Sequence, residues 1–269
     1  MHNDGLDSYA REERQLASRS TRVRTYLARA RKAPRRLFML CAAGGLGLGL
    51  AACGTAPVAH NSPAEVALVK AVRSAVLAKG TVHVVIRRNQ KGKGNETLYG
   101  DIGNRSADET VISGSAKAAI RVTPQASYFS GNSEGLVKLL SLSKKEAARV
   151  GNRWVENKAG SKEYKALFSA DTMSSLPASL LPASSDAVTL KSSAQNGGEV
   201  KVLTWTQSSS GQTIHQQLFV SATGAPLPSR ETTKVSAVNQ TLVFSDWGEH
   251  LDVPAPPAKD VIAYSDVTG

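Results

Sequence analysis

Two stretches of this chain, residues 81–130 and 186–247, are built from short runs in which apolar and polar residues alternate. That period of two restricts the fold more than any other feature, because it demands strands with one face against a core. Val82, Val84 and Ile86 alternate with Thr81, His83 and Arg87 across 81–88. Further strands are expected over 96–102, 109–114, 117–123 and 126–130, separated mostly by glycine, asparagine and proline. Lys91-Gly92-Lys93-Gly94-Asn95 reads as a hairpin tip. In the last third, strands are expected over 186–192, 199–206, 212–221, 226–236 and 239–247, and the tail Val253-Pro254-Ala255-Pro256-Pro257 is extended.

Helical signals frame the strands. Ser62-Pro63-Ala64-Glu65 carries a capping box with proline at the first helical position, and Gly80 supplies a stop. Between them Val66, Val69, Val72 and Val76 recur at helical spacing, with Leu77 near the same face. In the middle of the chain Ser133 and Ser143 are expected N-caps, the latter with a second capping box to Glu146, and Gly151 ends that helix. Short helices are expected over 161–168 and 171–181, ended by Pro177 and Pro182. The order helix, meander, helices, meander predicts one α+β domain, residues 63–269, on a large antiparallel sheet.

Charge is distributed unevenly. Of the net +11, residues 1–52 hold ten Lys/Arg against four Asp/Glu, so a nucleic-acid reading from total charge would be misled. Those residues have a secretory layout and read as a signal peptide over 1–52: a basic stretch ending in Arg35-Arg36, then an apolar, glycine-rich run from Leu37 to Ala52, about the length of a signal peptide's apolar core and short of a membrane span. Leu50-Ala51-Ala52-Cys53 resembles a bacterial lipobox. The resemblance implies a diacylglyceryl group on Cys53, cleavage between Ala52 and Cys53, and residues 53–62 as a lipidated tether at the extracytoplasmic face of the cell membrane. The only other cysteine, Cys41, lies in the leader, so the mature chain has one thiol and no internal disulfide, and lipid would cap that thiol. Two acyl chains anchor stably where one does not. Both the general secretory route and the twin-arginine route, the latter on Arg35-Arg36-Leu37-Phe38-Met39, fit the leader.

Three stretches of the mature chain carry a family resemblance: Val150-Gly151-Asn152-Arg153-Trp154-Val155, Leu227-Pro228-Ser229-Arg230, and Phe244-Ser245-Asp246-Trp247-Gly248 before the proline tail. With the order of elements, they make residues 62–265 resemble the LppX/LprG-type lipoproteins of actinobacteria and, through them, the LolA/LolB lipoprotein-localisation factors. The resemblance implies a strongly curved antiparallel half-barrel, with helices capping its concave face. It also implies binding of lipids or acylated molecules between sheet and helices, and for some members carriage to the outer envelope. A wide curved sheet encloses more volume than its side chains fill. The opposing reading is a normally packed core.

On the cavity reading the lining is expected to include Val82, Val84, Ile86, Ile120 and Val122 from the first strand group, and Leu203, Leu218 and Val220 from the second. Leu136 and Leu140, with Val137 and Leu139, would edge a lid. Trp154, Trp205 and Trp247 either anchor packing or touch ligand. Basic residues Arg87, Arg88, Lys91 and Lys93 around the hairpin tip either meet anionic head groups or form a solvated turn.

Enzymatic signatures are missing from the sequence. The mature histidines His60, His83, His215 and His250 share no helical turn, and no H-E-x-x-H, cysteine pair, G-x-S-x-G elbow or phosphate loop after a strand occurs. Glu249-His250, placed in a strand, would point to opposite faces. The expectation is therefore a protein without catalytic residues, metal or cofactor. It would be held on the membrane, with a lipid or glycolipid ligand and no nucleic acid. The alternative is an envelope sensor or protein-interaction module on the same fold, which would meet an envelope protein partner.

Overall fold

The computed structural model describes residues 61–268, apart from residues 91, 93, 185, 196, 197, 210 and 211. The expectations placed on the leader, Ala52, Cys53, His60, Lys91 and Lys93 lie outside the described residues.

Helix α1 (Pro63–Lys79) starts as its residues dictate. Ser62 Oγ accepts from the Glu65 N–H at 3.3 Å, and the Glu65 carboxylate accepts from the Ser62 N–H at 2.7 Å. Gly80 ends it at φ 72°, where an added Cβ would also lie 2.9 Å from Asn104 Nδ2. The buried stripe differs from the one expected. It is Leu68, Val72 and Val76, while Val66 and Leu77 are 41% and 45% exposed. An i, i+4, i+8 line through Val72 passes through Leu68, so the valines at 66 and 69 are rotated off its centre.

Strands β1 (Thr81–Gln90), β2 (Gly94–Gly103), β3 (Ala107–Ser113), β4 (Ala116–Val122) and β5 (Ala126–Gly131) form an antiparallel meander. Then come α2 (Ser133–Lys138), α3 (Lys144–Val150), β6 (Trp154–Lys158), α4 (Lys162–Ala170) and α5 (Leu176–Leu180). A second meander holds β7 (Val188–Gln195), β8 (Gly198–Ser209), β9 (Gln212–Ser221), β10 (Pro228–Val235) and β11 (Val238–Ser245). The chain closes with β12 (Val261–Ala263) and α6 (Tyr264–Thr268).

The two strand groups belong to one sheet. β1 pairs with β11 from His83–Ser245 to Gln90–Val238, giving the order β12-β6-β5-β4-β3-β2-β1-β11-β10-β9-β8-β7. The twelve-stranded sheet is open and curved, and antiparallel except for the β12–β6 pair. This is an α+β half-barrel with helices packed on one face, the architecture expected from the sequence.

Several local expectations are corrected. The N-cap of α2 is Asn132, not Ser133: its Oδ1 accepts from the Gly135 N–H at 2.7 Å and the Lys117 N–H at 3.1 Å, while its Nδ2 donates to Ser115 O at 2.7 Å. An amide carries its acceptor and its donor on separate atoms, so one side chain can hold helix and strand at once. The helix expected over 171–181 is only Leu176–Leu180, because the Ser175 hydroxyl donates to Ala170 O and Thr172 O and holds a turn there. Pro177 sits in the first turn of α5 and does not end it, since a first-turn proline lacks an N–H that would be unpaired anyway. β11 stops at Ser245, as Asp246 and Gly248 take φ of 56° and 82°, so Trp247, Glu249 and His250 lie beyond the strand. β12 and α6, behind the proline tail, were not expected.

Candidate functional site: the helix-covered face of the sheet

One row of inward residues crosses most of the sheet in register: Val155, Phe129, Ile120, Glu109, Gly100, Val84 and Phe244. The row is apolar at both ends and interrupted in the middle. On one side lies a basin of Val82, Val84, Leu203, Leu218, Val220, Leu242 and Phe244, with Ile86 partly buried against it. Its roof is α1, through Leu68, Val72 and Val76, and the segment carrying Met173, Leu176, Leu180 and Leu181. On the other side Ile120, Val122, Phe129 and Val155 pack under Leu136, Leu140, Leu142, Ala147, Val150, Leu167 and Val267.

Of the ten residues singled out as cavity lining, eight lie on the sheet beneath the helices, and Leu136 and Leu140 belong to the roof over them. Val82, Val84, Ile86, Leu203, Leu218 and Val220 share the first basin; Ile120, Val122, Leu136 and Leu140 share the second. In this closed arrangement they pack on one another as core. An open depression of about 290 Å³, lined by Lys117, Ala118, Ala119, Ser130, Gly131, Asn132 and Asn152, contains none of the ten. A guest between sheet and helices requires the roof to part.

The seam between the basins is polar, and sequence reasoning missed it. Glu109 on β3 is 7% exposed, and its neighbour on β2 is Gly100, where a Cβ would come 3.2 Å from Glu109 Cγ. The missing side chain makes room for the glutamate. Above it Asp171 ends α4, its N–H donating to Leu167 O at 2.9 Å. Asp171 is 4% exposed and its Oδ2 has no protein partner. Burial, with a further push from the Asp108 charge, raises the Glu109 carboxyl to about 7. Burial, and then the charge of Glu109, raises Asp171 well above the ordinary aspartate range. The Met173 N–H donates to Gly103 O at 3.0 Å and holds this linker to β2.

A second polar strip crosses the hairpin end of the first basin. Arg88, Gln240, Thr233, Gln216 and Trp205 are register partners from β1 to β8. Glu231, one step inward and 3% exposed, accepts from Gln216 Nε2 at 3.3 Å and Thr233 Oγ1 at 3.0 Å. Burial, partly offset by those two bonds, raises its carboxyl to about 7. Arg88 Nε, Trp205 Nε1 and Gln216 Oε1 are buried without protein partners. Arg88 is thus directed partly into the fold, unlike the exposed Arg87 beside it.

The other residues singled out do not converge. Trp247 donates to Pro228 O at 2.9 Å and lies 5.9 Å from the Phe244 ring, a packing role. Trp154 lies under Arg121 at 5.0 Å. His83 pairs with Asp101 at 2.7 Å and His215 meets Thr206 at 3.3 Å. Among the described residues no three His, Cys, Asp or Glu side chains are grouped to hold a metal, and no helix is long and apolar enough to cross a membrane.

No family model matches the chain, and no curated protein matches it. Among solved structures it is similar to the lipoprotein LppX of Mycobacterium tuberculosis, at 15% identity and TM-score 0.46 over 72% of this chain and 100% of that one. It is similar to LprF of Mycobacterium bovis, at 14% identity and TM-score 0.47 over 72% and 98%. A LolA superfamily protein of Nitrosomonas europaea follows, at 12% identity and TM-score 0.29 over 71% and 94%. Over most of its length, and at low identity, the chain is similar to lipoproteins of the LppX and LprF kind and to the LolA superfamily.

Proposed function

We propose that this protein is an extracytoplasmic lipoprotein, anchored through diacylglyceryl on Cys53, that binds and carries lipids or acylated molecules between its sheet and helices. One observation carries the reading: a single curved sheet presents two apolar basins under helices, with the buried Glu109 and Asp171 carboxyls between them and further buried polar atoms without protein partners at the hairpin end of the first. Interiors built only to be packed leave few buried polar atoms without partners. A roof assembled from separate helices can part to admit acyl chains, whose transfer out of water drives binding. The polar groups then meet the ester or head-group part of the guest. The protein acts by binding, without catalysing a reaction. Its anchor keeps the basins beside the bilayer that supplies the guest.

Native mass spectrometry of the chain purified from a bacterial host, followed by lipid extraction, tests this. A co-purified phospholipid or glycolipid in near-stoichiometric amount is expected. A protein that arrives empty and takes up no added lipid would move the function to an envelope sensor or protein-interaction module.

A further inference from the structure

Two apolar side chains stand exposed on α1, and the residues beside them are cations. Val66 and Leu77 are exposed, as only Tyr99 and Ile112 are among the other large apolar residues described. With Lys70 and Arg73 they fall at i, i+4, i+7 and i+11, one line along the helix roughly 16 Å long. That line is rotated away from the buried one of Leu68, Val72 and Val76, and the exposed small residues Ala67, Ala71, Ser74 and Ala78 flank it. α1 carries Lys70, Arg73 and Lys79 against one acid, and that acid, Glu65, is turned back onto the Ser62 N–H. Neither Lys70 nor Arg73 is in an ion pair among the described residues. Tyr99 and Ile112 lie on the face of the sheet opposite the helices, among charges of both signs: Asp101 and Asp108, Arg87 and Lys117. The chain also enters α1 at a fixed point, since Asn61 bonds Asp186 O and the Val188 N–H, both at 2.8 Å, beside the edge strand β7. Residues 53–62 can span at most about 35 Å. With Cys53 anchored, the start of α1 lies no farther than that from the bilayer.

We propose that the Val66–Lys70–Arg73–Leu77 line of α1 is a membrane-docking surface that lays the roof of the first basin on an anionic lipid bilayer. A helix face that mixes aliphatic and basic residues suits such a surface. Val66 and Leu77 enter the boundary between head groups and acyl chains, while Lys70 and Arg73 meet the anionic head groups. The tether decides between a bilayer and a second copy or protein partner, because it holds this helix beside the bilayer at high effective concentration. Docking through α1 rather than through the Tyr99 face turns the helix-covered side of the sheet, and with it the first basin, towards the lipid. The surface rests on the Cys53 anchor of the reading above and not on lipid carriage.

A thioether on Cys53 and loss of Cys41 with the leader would leave no free thiol, so one engineered cysteine can carry a probe. Ser74→Cys, between Lys70 and Leu77, and Tyr99→Cys, on the opposite face, are each labelled with an environment-sensitive fluorophore. The lipidated chain is purified from membranes and reconstituted into vesicles that contain a nitroxide-bearing lipid as quencher. Phosphatidylcholine alone is compared with phosphatidylcholine plus phosphatidylglycerol. With phosphatidylglycerol, the Ser74 probe should be quenched at least about twofold more than the Tyr99 probe. Lys70→Glu with Arg73→Gln should lower the ratio of docked to undocked protein about tenfold or more. Leu77→Ser, at an exposed position, should lower it by a smaller factor and serves if the charge variant fails to fold. Quenching at Ser74 no greater than at Tyr99, or no response to phosphatidylglycerol and to the variants, overturns the docking and leaves anchor and lipid binding standing. Shielding of Ser74 that grows with protein density at fixed lipid, without nitroxide quenching, makes a second copy the occupant and overturns it as well. A Cys53 found without lipid by mass spectrometry of the N-terminal peptide overturns the anchor and the docking with it.

Discussion

The two basins share one sheet face but are roofed differently. The second is tied down by polar contacts: Asn132 bridges α2 to β4 and the β3–β4 turn, the Tyr164 hydroxyl of α4 donates to Thr123 O and Pro124 O at 3.2 Å, and Arg149 of α3 donates to Val267 O at 3.0 Å. The first is roofed mainly by α1, which is pinned at its entrance. There Asn61 Nδ2 donates to Asp186 O and Asn61 Oδ1 accepts from the Val188 N–H, both at 2.8 Å. Beyond that point the helix rests on Leu68, Val72 and Val76. Apolar contact is non-directional, so a helix held by it can shift with little loss, whereas a helix held by several directed bonds must break them to move. On the proposed lipid-binding reading, the first basin is the half expected to open to a guest, and the second the half expected to keep the sheet in shape.

The largest expected effect tests that division. Leu136→Ala in the second basin and Leu203→Ala in the first should each destabilise the protein by about 2–5 kcal/mol in urea unfolding. Added lipid should restore stability only to Leu203→Ala; equal restoration in both would erase the distinction. Next is Gly135→Ala. A Cβ there would lie 2.0 Å from Lys117 O, so α2 must move away from β4, at about 3 kcal/mol or more. Exchange protection should drop in the second basin and stay unchanged in the first.

Glu231 gives an effect of similar size, confined to the first basin. Its folded value of about 7 lies above the ordinary 4.5, so the folded state retains a proton that the unfolded chain gives up. Its contribution is full below about pH 4.5 and is lost as pH rises through about 7, a fall of about 3 kcal/mol. Glu231→Gln should flatten that part of the pH–stability curve; an unchanged slope would assign it to the seam carboxyls. The smallest expected effect is from Asn61→Ala, about 1 kcal/mol, with faster exchange at the start of α1.

Much of this was legible locally. Both capping boxes, the glycine stops at Gly80 and Gly151, and all ten strands of the two meanders follow from neighbouring residues. What escaped depends on distant partners. Glu109 alternates in phase with Ala107 and Val111, a signal that was present, but only the register with Gly100 shows the room made for it. Asp171 lies in a turn whose position over the sheet no local pattern encodes. β12 is three residues long, and its pairing with Trp154–Glu156 crosses more than a hundred residues.

The β1–β11 pairing imposes an order on how the chain assembles. Each meander can form from neighbours as it is made, but the outer edge of β1 waits for residues 238–245, the last of the second group. Until then a ten-residue strand with an apolar face presents unpaired backbone groups. Contacts of such sequence separation form slowly because a long loop must close first. The docking of the two meanders is therefore expected to be the late step of folding, and substitutions along β1 and β11, more than those in either meander's turns, should govern its rate and the protein's tendency to aggregate before that step is complete.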